Sequence, residues 1–450
     1  MSFNPLPFII SAVGIYFLVK LRFFFILHPI RTIGKSVRAL KDKRALKSFS
    51  LALAGTLGVG NVFGVAFGII VGGPGSLFWL FVSMFFAMII KYAEVVISSD
   101  NLTHDRDTHG GMSYVIANSF KRSGRFLSKI YAVGIVGLSL VMGASLQCGT
   151  VAISVGSALD IPKLAIASFL VVITLFAITG GARKIEKVTS VVIPLTTIIY
   201  IMATLYIIIS KASLLPSVTI NIFRSAFEVR GVVGGALGFL LSSTFHEGFS
   251  RGILSNEAGA GTSSMAHARN GVLNPASSGL LGMLEVWFDT GLLCMLTGLS
   301  ILLSVPEELC IGDGMELIMY VAGNSFGNTG KIMAAVSVFA FAFATVICWY
   351  YYGMETWGFV FGSSSRIAFL PIFIIFVVMG CFVNISISVF IIDALMATVS
   401  SLCVVALIKN SDRIKDLSER GGVIDCNIGK RYRKGIRGSV LPREEQHREH

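Results

Sequence analysis

Two glycine-rich interruptions and a few charged side chains, all set in apolar stretches, are the parts of this chain that can do chemistry. The first interruption reads Gly55-Thr56-Leu57-Gly58-Val59-Gly60-Asn61, and the second runs from Gly252 through Ser255-Asn256-Glu257-Ala258-Gly259 to Gly261. Glycine weakens a helix by about 1 kcal/mol relative to alanine. Unwound backbone at membrane depth is tolerated only where it lines a cavity or is buried in protein. Such breaks offer free N–H groups to a carboxylate and free carbonyl oxygens to a cation. The chemistry they suit is binding, not bond cleavage. Gly64, Gly68 and Gly72, spaced by four, fit a small-residue face for close helix packing instead.

Ionisable residues inside the apolar stretches narrow the chemistry further. Each costs at least about 2.5–3.5 kcal/mol near a bilayer centre, so each needs a partner or a task. Asp289 and Asp393 fall mid-span, Arg251 and Glu257 flank the second interruption, and Glu285 precedes Asp289 by one helical turn. Internal pairing of Arg251 with Asp289 or Glu257 is one expectation, and Glu285 meeting Arg269 is another. Asp289 suits a cation path. Gln147 must face protein or a cavity, and Thr345 and Trp349, four residues apart, share a helix face.

Several patterns point elsewhere and fail on context. Gly248-Phe-Ser-Arg-Gly252 fits G-x-S-x-G, with His246 and His267 nearby, but a nucleophile elbow needs a strand–turn–helix in an α/β sheet. An intramembrane enzyme would need a histidine facing Ser250 from another helix, and His246 is on the same segment. Gly58-Val-Gly60 follows no strand, so it is no dinucleotide fingerprint. No phosphate-binding loop is present, which removes ATP-driven transport. The seven cysteines lack metal-ligand spacing and read as small core residues.

The elements that must position these residues are membrane helices. Of 450 residues, 54% are hydrophobic and 14% charged, against roughly a quarter charged in a soluble chain. About eleven apolar segments can each cross a ~30 Å hydrocarbon core: near 7–27, 48–71, 75–99, 130–158, 163–180, 187–210, 232–253 (continuing to about 268), 276–304, 332–361, 367–383 and 384–408. The first leads into a basic loop without a small-residue cleavage site and reads as a retained helix. The net charge of +12 lies in loops and in the tail, as the positive-inside rule expects, so nucleic acid is not an expected partner. Arg31, Lys35, Arg38, Lys41, Lys43, Arg44 and Lys47 should be cytoplasmic, which puts the N-terminus outside. Arg106, Lys121, Arg122, Arg125, Arg183, Lys184 and Lys187 then fall inside, as does the tail 409–450, while Glu307, Glu308, Asp313 and Glu316 fall outside.

Setting aside the first span, the interrupted helices are the first and sixth of ten. That is the layout of a 5+5 inverted-repeat secondary transporter, with both breaks facing each other near the bilayer midplane. The expected organisation is an N-terminal helix and basic loop (1–47), two five-helix repeats (48–210 and 211–408) and a basic cytoplasmic tail (409–450).

The motifs carry a family likeness. Gly55-Thr-Leu-Gly-Val-Gly-Asn-Val-Phe-Gly-Val-Ala66, Gly72-Gly-Pro-Gly-Ser-Leu-Phe-Trp79, Lys91-Tyr-Ala-Glu94 and Arg251-Gly-Ile-Leu-Ser-Asn-Glu-Ala-Gly259 with Ala266-His267-Ala268 resemble the alanine/glycine:cation symporter family, the sodium:alanine symporters. Phe288-Asp289-Thr290, Thr345 with Trp349-Tyr-Tyr-Tyr-Gly353, and Gly110-Gly-Met-Ser-Tyr114 support it, over roughly residues 15–405. The resemblance implies a leucine-transporter-type fold in a bacterial or archaeal plasma membrane. It also implies uptake of small neutral amino acids, alanine and glycine among them, with Na⁺ or in some members H⁺, and no organic cofactor. Carried over, Gly58, Gly60, Ser255, Asn256 and Gly259 hold the substrate's charged ends through backbone groups, and Gln147, Thr345 and Trp349 form a small pocket. Thr56, Leu57, Asn61, Asp289 and Thr345 are the implied sodium ligands, oxygen donors suited to a hard cation. The chain departs from the pattern at Ser113, at Glu285 where a small or neutral residue is expected, at Met354 with Glu355 displaced by one, and at Ser400-Ser401 in place of Pro-Asn.

Three function classes follow. The first is a sodium-driven amino-acid symporter. The second is a same-fold carrier of protons or another solute, which Glu285 and Asp289 would distinguish. The third is an intramembrane enzyme, which lacks a facing nucleophile–base pair.

Overall fold

The computed structural model describes residues 4–101, 103–104, 108–179, 181–228, 242–269, 274–306 and 312–424. The start of the expected seventh span, Arg106, Glu307, Glu308 and the tail beyond 424 lie outside them. The described chain is helical apart from a two-residue hairpin pairing Thr103–His104 with Thr108–His109. In chain order the helices are α1 (Leu6–Lys20), α2 (Pro29–Ala39), α3 (Lys43–Thr56), α4 (Phe63–Gly72), α5 (Ser76–Asp100) and α6 (Met112–Ser119). There follow α7 (Gly124–Leu159), α8 (Lys163–Ile178), α9 (Gly181–Ser210), α10 (Leu215–Phe227), α11 (Ser243–Asn256) and α12 (Ser263–Arg269). The last are α13 (Pro275–Ser304), α14 (Gly314–Phe361), α15 (Arg366–Gly380), α16 (Ile385–Lys409) and α17 (Ser411–Arg420).

Among the described residues, seven helices are long and apolar enough to cross a membrane, and the bent pair α3–α4 makes an eighth. Two shorter apolar helices, α1 and α8, lie where two further spans were expected. At 48 residues α14 would be about 72 Å long if straight. Gly327, at φ +63°, turns the chain back instead.

Both glycine-rich interruptions break their helices. Helix α3 ends at Thr56, Gly58 is extended (φ −112°, ψ −161°), and after the 3-10 turn Val59–Asn61 the path resumes in α4 with a 59° bend. Helix α11 ends at Asn256 because Glu257, Gly259 and Gly261 all take left-handed φ angles of +56°, +90° and +75°. For glycine that conformation is free; for Glu257 it carries strain. Two π-helical stretches, Ser139–Leu146 in α7 and Trp287–Cys294 in α13, bring an extra residue into the turn. Such bulges are frequent at functional sites.

Helix α5 is the buried spine, packed along α13, α11 and α1, while α14 runs along α7. Gly68 and Gly72 let α11 approach α4, where added methyl groups would meet Arg251 and Glu247. Gly64 has nothing within 4 Å, so the small-residue face is shorter than its spacing suggests.

The ion pairs correct the expectation for Arg251; the Arg269 side chain, the expected partner of Glu285, lies outside the described residues. Arg251 pairs with neither Asp289 nor Glu257. Its Nε donates to Glu247 Oε2 at 3.0 Å, and its two terminal nitrogens grip Asp393 on α16 at 3.3 and 2.9 Å. The guanidinium lies over the Phe67 ring, 5.1 Å from its centre. The cause is helix rotation: Arg251 projects from the face of α11 turned to α4 and α16, away from the break. Glu285 meets Lys91, whose Nζ is 3.7 Å from its Oε1, and Ser263, which donates to it at 2.6 Å. Removing one member of a fully buried pair costs about 3–5 kcal/mol. Asp393 keeps 23% of its side-chain exposure, so Asp393→Ala should cost roughly 2–3 kcal/mol, read as a lower thermal midpoint in detergent. A midpoint equal to the parent's would show that Arg251 is adequately held by Glu247 alone.

Candidate functional site

The two breaks meet at Asp289. From the first break, Asn61 Nδ2 donates to Asp289 Oδ1 at 2.5 Å. From the second, Ser255 Oγ donates to Asp289 Oδ2. Thr290 Oγ1 also donates to Oδ2, at 3.1 Å, and receives a hydrogen bond from Asn256 Nδ2 at 3.0 Å. Gly60 is in van der Waals range of the other break, an added Cβ there standing 3.6 Å from the Ser255 Cα. A carboxylate on α13, presented by the π-helical stretch, is thus bonded to both broken helices and fully buried.

A second layer holds the first break open. Gln147 Oε1 accepts from the Val59 N–H at 3.2 Å, and its Nε2 donates to the Met142 carbonyl in the π stretch of α7. Thr345 Oγ1 donates to the Ala54 carbonyl at 3.0 Å, with the Leu57 carbonyl at 3.5 Å. An added Cβ at Gly58 would stand 2.8 Å from Thr345 Oγ1 and 3.1 Å from Gln147 Oε1. Trp349 Nε1 reaches the Gly55 carbonyl at 3.3 Å and Glu257 Oε1 at 3.2 Å, so its indole bridges the two breaks.

Of the residues singled out in the sequence, Gly58, Gly60, Asn61, Gln147, Ser255, Asn256, Asp289, Thr345, Trp349 and the Leu57 carbonyl are brought together. Thr56 turns its hydroxyl back to the Ala52 carbonyl of its own helix, at 3.4 Å. Gly259 stands apart. Its N–H donates to Glu94 Oε1 at 2.6 Å, and a Cβ there would meet Ile10 and Ser400, not Gly58 or Trp349. The left-handed turn at Glu257 swings the chain to the α5 side of the break. Sequence reasoning missed Thr290, and it missed Lys91 and Glu94 as buried charges. The signal was present: a lysine and a glutamate one turn apart at the end of an apolar span.

What this arrangement can do is bind. One carboxylate amid neutral hydroxyl, amide and carbonyl oxygens is a donor set for a hard monovalent cation. Asn61 Oδ1 is buried without a hydrogen-bond partner among the described residues.

Comparison with known proteins gives the fold first. A solved manganese transporter of Eremococcus coleocola shares the fold, with a TM-score of 0.52 at 16% identity over 81% of this chain and 76% of that one. At that identity the likeness shows the fold alone. The sodium:alanine symporter family model matches residues 2–418, and the chain belongs to that family. The amino-acid carrier protein AlsT of Bacillus subtilis is 30% identical over 364 residues, 80% of this chain and 76% of the relative. The sodium/alanine symporter AgcS of Methanococcus maripaludis is 30% identical over 342 residues, 73% and 74% of the two chains. A B. subtilis protein named "Probable sodium/glutamine symporter GlnT" is 27% identical over 384 residues, 83% and 78% of the two chains.

Proposed function

We propose that this chain carries small neutral amino acids, alanine and glycine foremost, into the cell together with Na⁺. The observation that carries the reading is the double hydrogen bonding of Asp289 by Asn61 and Ser255, one residue from each broken helix. A cation drawn to that carboxylate competes for its oxygens with both breaks at once. Sodium occupancy and the spacing of the two breaks are thereby linked, which is what ion-coupled binding requires. The amino acid's charged ends would be met by backbone of Gly58–Asn61 and Ser255–Ala258, with Gln147, Thr345 and Trp349 closing the pocket. Gly259 leaves the substrate set, because Glu94 takes its N–H. The Asn61, Asp289 and Thr345 side chains with the Leu57 carbonyl form the sodium set, and Thr56 can join only by turning its hydroxyl from Ala52.

The wider frame is part of the same proposal. The breaks in α3–α4 and α11–α12 belong to equivalent helices of two five-helix repeats, 48–210 and 211–408. The N-terminus is outside and the basic tail cytoplasmic, in a bacterial or archaeal plasma membrane. The basic run Arg31–Lys47 and the likeness to AlsT and AgcS support this.

Uptake by proteoliposomes under a sodium gradient, with labelled alanine, glycine, serine, glutamine and leucine, tests the substrate. Each extra methylene in a tight pocket shifts discrimination by about 1–3 kcal/mol. Alanine and glycine should accumulate, serine should be tolerated, and leucine should be taken up poorly. Trp349→Ala should raise leucine uptake relative to alanine about tenfold. Equal uptake of leucine and alanine by the unaltered protein, or unchanged selectivity in Trp349→Ala, would refute this pocket.

A further inference from the structure

Helix α2 is amphipathic in the wrong sense for water: its inward face is polar and its outward face apolar. Thr32 and Ser36 are its buried residues. Ser36 Oγ lies 3.0 Å from the Thr32 carbonyl and 3.4 Å from the Leu280 carbonyl on α13. Ile30, Ile33 and Val37, spaced to share one face, are 86%, 52% and 50% exposed. Ile26 and Leu27, in the short helical turn Phe24–Leu27 just before α2, extend the exposed apolar edge. A contiguous apolar patch of this kind marks an interaction surface. With eleven residues, about 16 Å long, α2 is too short to cross the bilayer itself.

Charge says what covers that edge. Between Pro29 and Lys47 the chain carries seven lysines and arginines against a single acidic residue, Asp42. Asp42 is itself turned to the N–H groups of Arg44 and Ala45 as the cap of α3. Arg31, Arg38, Lys41, Lys43, Arg44 and Lys47 are all exposed. Lys35, Arg38 and Arg44 also line a cavity of about 450 Å³ at the start of α13, beside Asn274, Ser277 and Ser278. An apolar edge with a basic rim is complementary to a bilayer surface rich in anionic headgroups, acyl chains meeting the isoleucines and phosphates the cations. A soluble anion would satisfy the rim and leave Ile30, Ile33 and Val37 in water.

We propose that α2 lies in the membrane interface and seats this chain on anionic phospholipid, with Ile30, Ile33 and Val37 among the acyl chains and headgroup phosphates on Arg38, Lys41 and Arg44. The proposal goes beyond the transport reading and holds for any solute or coupling ion. The seat is joined to the candidate site by short paths. Helix α2 runs through Leu40–Asp42 into α3, which ends at the first break, and it packs on α13, which carries Asp289. Lys35 Nζ donates to the Gly422 carbonyl just past α17. Lipid bound along α2 therefore braces the basic ends of α3, α13 and α17 together.

The test uses the full chain and needs no substrate. In detergent, fluorescent phosphatidylglycerol should bind at least about tenfold more tightly than fluorescent phosphatidylcholine, and the combined Arg38→Gln, Lys41→Gln and Arg44→Gln variant should lose that preference. Arg38→Lys with Arg44→Lys keeps the charge and should keep the preference. Equal binding of the two lipids by the parent, or an undiminished preference in the glutamine variant, overturns the lipid seat. Displacement of phosphatidylglycerol by inorganic phosphate alone assigns the basic rim to a soluble anion and also overturns it. Depth is read separately in phosphatidylglycerol-containing bilayers, with the parent's four tryptophans as baseline. Ile33→Trp should add emission that brominated acyl chains quench; added emission that acrylamide reaches and bromolipid does not overturns the interfacial placement. Phosphatidylglycerol should also raise the thermal midpoint of the parent more than that of the glutamine variant, and an equal rise in both overturns the bracing.

Discussion

Replacing Asp289 with asparagine should abolish sodium-driven accumulation of alanine. The substitution keeps the shape of the side chain, removes its charge and turns one accepting oxygen into a donating amide. With that amide toward Ser255 and Thr290, whose hydroxyls can turn to accept, the joint between the two breaks can still form. Two unit charges ~4 Å apart at an effective dielectric constant near 20 interact by about 4 kcal/mol. Every 1.4 kcal/mol is about tenfold in affinity, so half-saturation by sodium should rise roughly 100–1,000-fold. Uptake measured against sodium concentration at fixed alanine gives the number directly. An unchanged sodium dependence would remove Asp289 from the ion site. If uptake instead follows an imposed pH gradient in sodium-free buffer, and Asp289→Asn ignores that gradient while still exchanging substrate, the coupling ion is the proton and the sodium assignment is wrong.

Gly58→Ala should be the most damaging single methyl group at the site, and Gly60→Ala should be mild for the fold. At Gly58 the new Cβ meets Thr345 Oγ1 at 2.8 Å and Gln147 Oε1 at 3.1 Å. Those side chains hold the break through the Ala54 carbonyl and the Val59 N–H. Overpacking costs about 1–3 kcal/mol, and each displaced hydrogen bond about 1 kcal/mol more. The variant should lose a large share of its thermal stability and more than about thirtyfold in uptake. Gly60 has only the Ser255 Cα at 3.6 Å, ordinary contact, and no left-handed φ to forbid a side chain. Its alanine variant should keep the parent's thermal midpoint, and any loss of transport should fall harder on alanine than on glycine, because the methyl group crowds the substrate. Equal destabilisation by the two substitutions would contradict this packing.

How much of this was readable beforehand divides by residue. The breaks at 57–62 and 257–262 were legible because their cause is local. Glycine, serine and asparagine clustered in an apolar window weaken a helix whatever surrounds it. Asp289 was legible for a similar reason, since a carboxylate in mid-span demands a partner wherever the helix lies. Lys91 and Glu94 were equally visible as charges in an apolar span and were read only as part of a family motif. The fold places Lys91 fully inside, against Ser263 and Glu285.

Other assignments depended on rotation and depth, which a one-dimensional pattern does not encode. Arg251 was one turn from Ser255 and six residues from Glu257, yet it reaches Asp393 on α16, 142 residues away. Gly259 shares its motif with Ser255 and Asn256, yet the left-handed turn at Glu257 points its N–H to Glu94. The π-helical stretches at Ser139–Leu146 and Trp287–Cys294 leave no mark on the hydrophobic pattern, because one extra residue in a turn is smaller than that pattern resolves. They turn Asp289 and Gln147 to the breaks.

By itself, then, the sequence determined that this is a many-spanning helical membrane protein with two broken helices and a charged centre. Apolar length, glycine clustering and buried charge are properties of short segments. Which oxygen faces which break, and which cation meets which carboxylate, were decided only by tertiary structure. Those pairings are set by how helices from distant parts of the chain rotate and pack against α5 and α13, and that packing is a property of the whole fold.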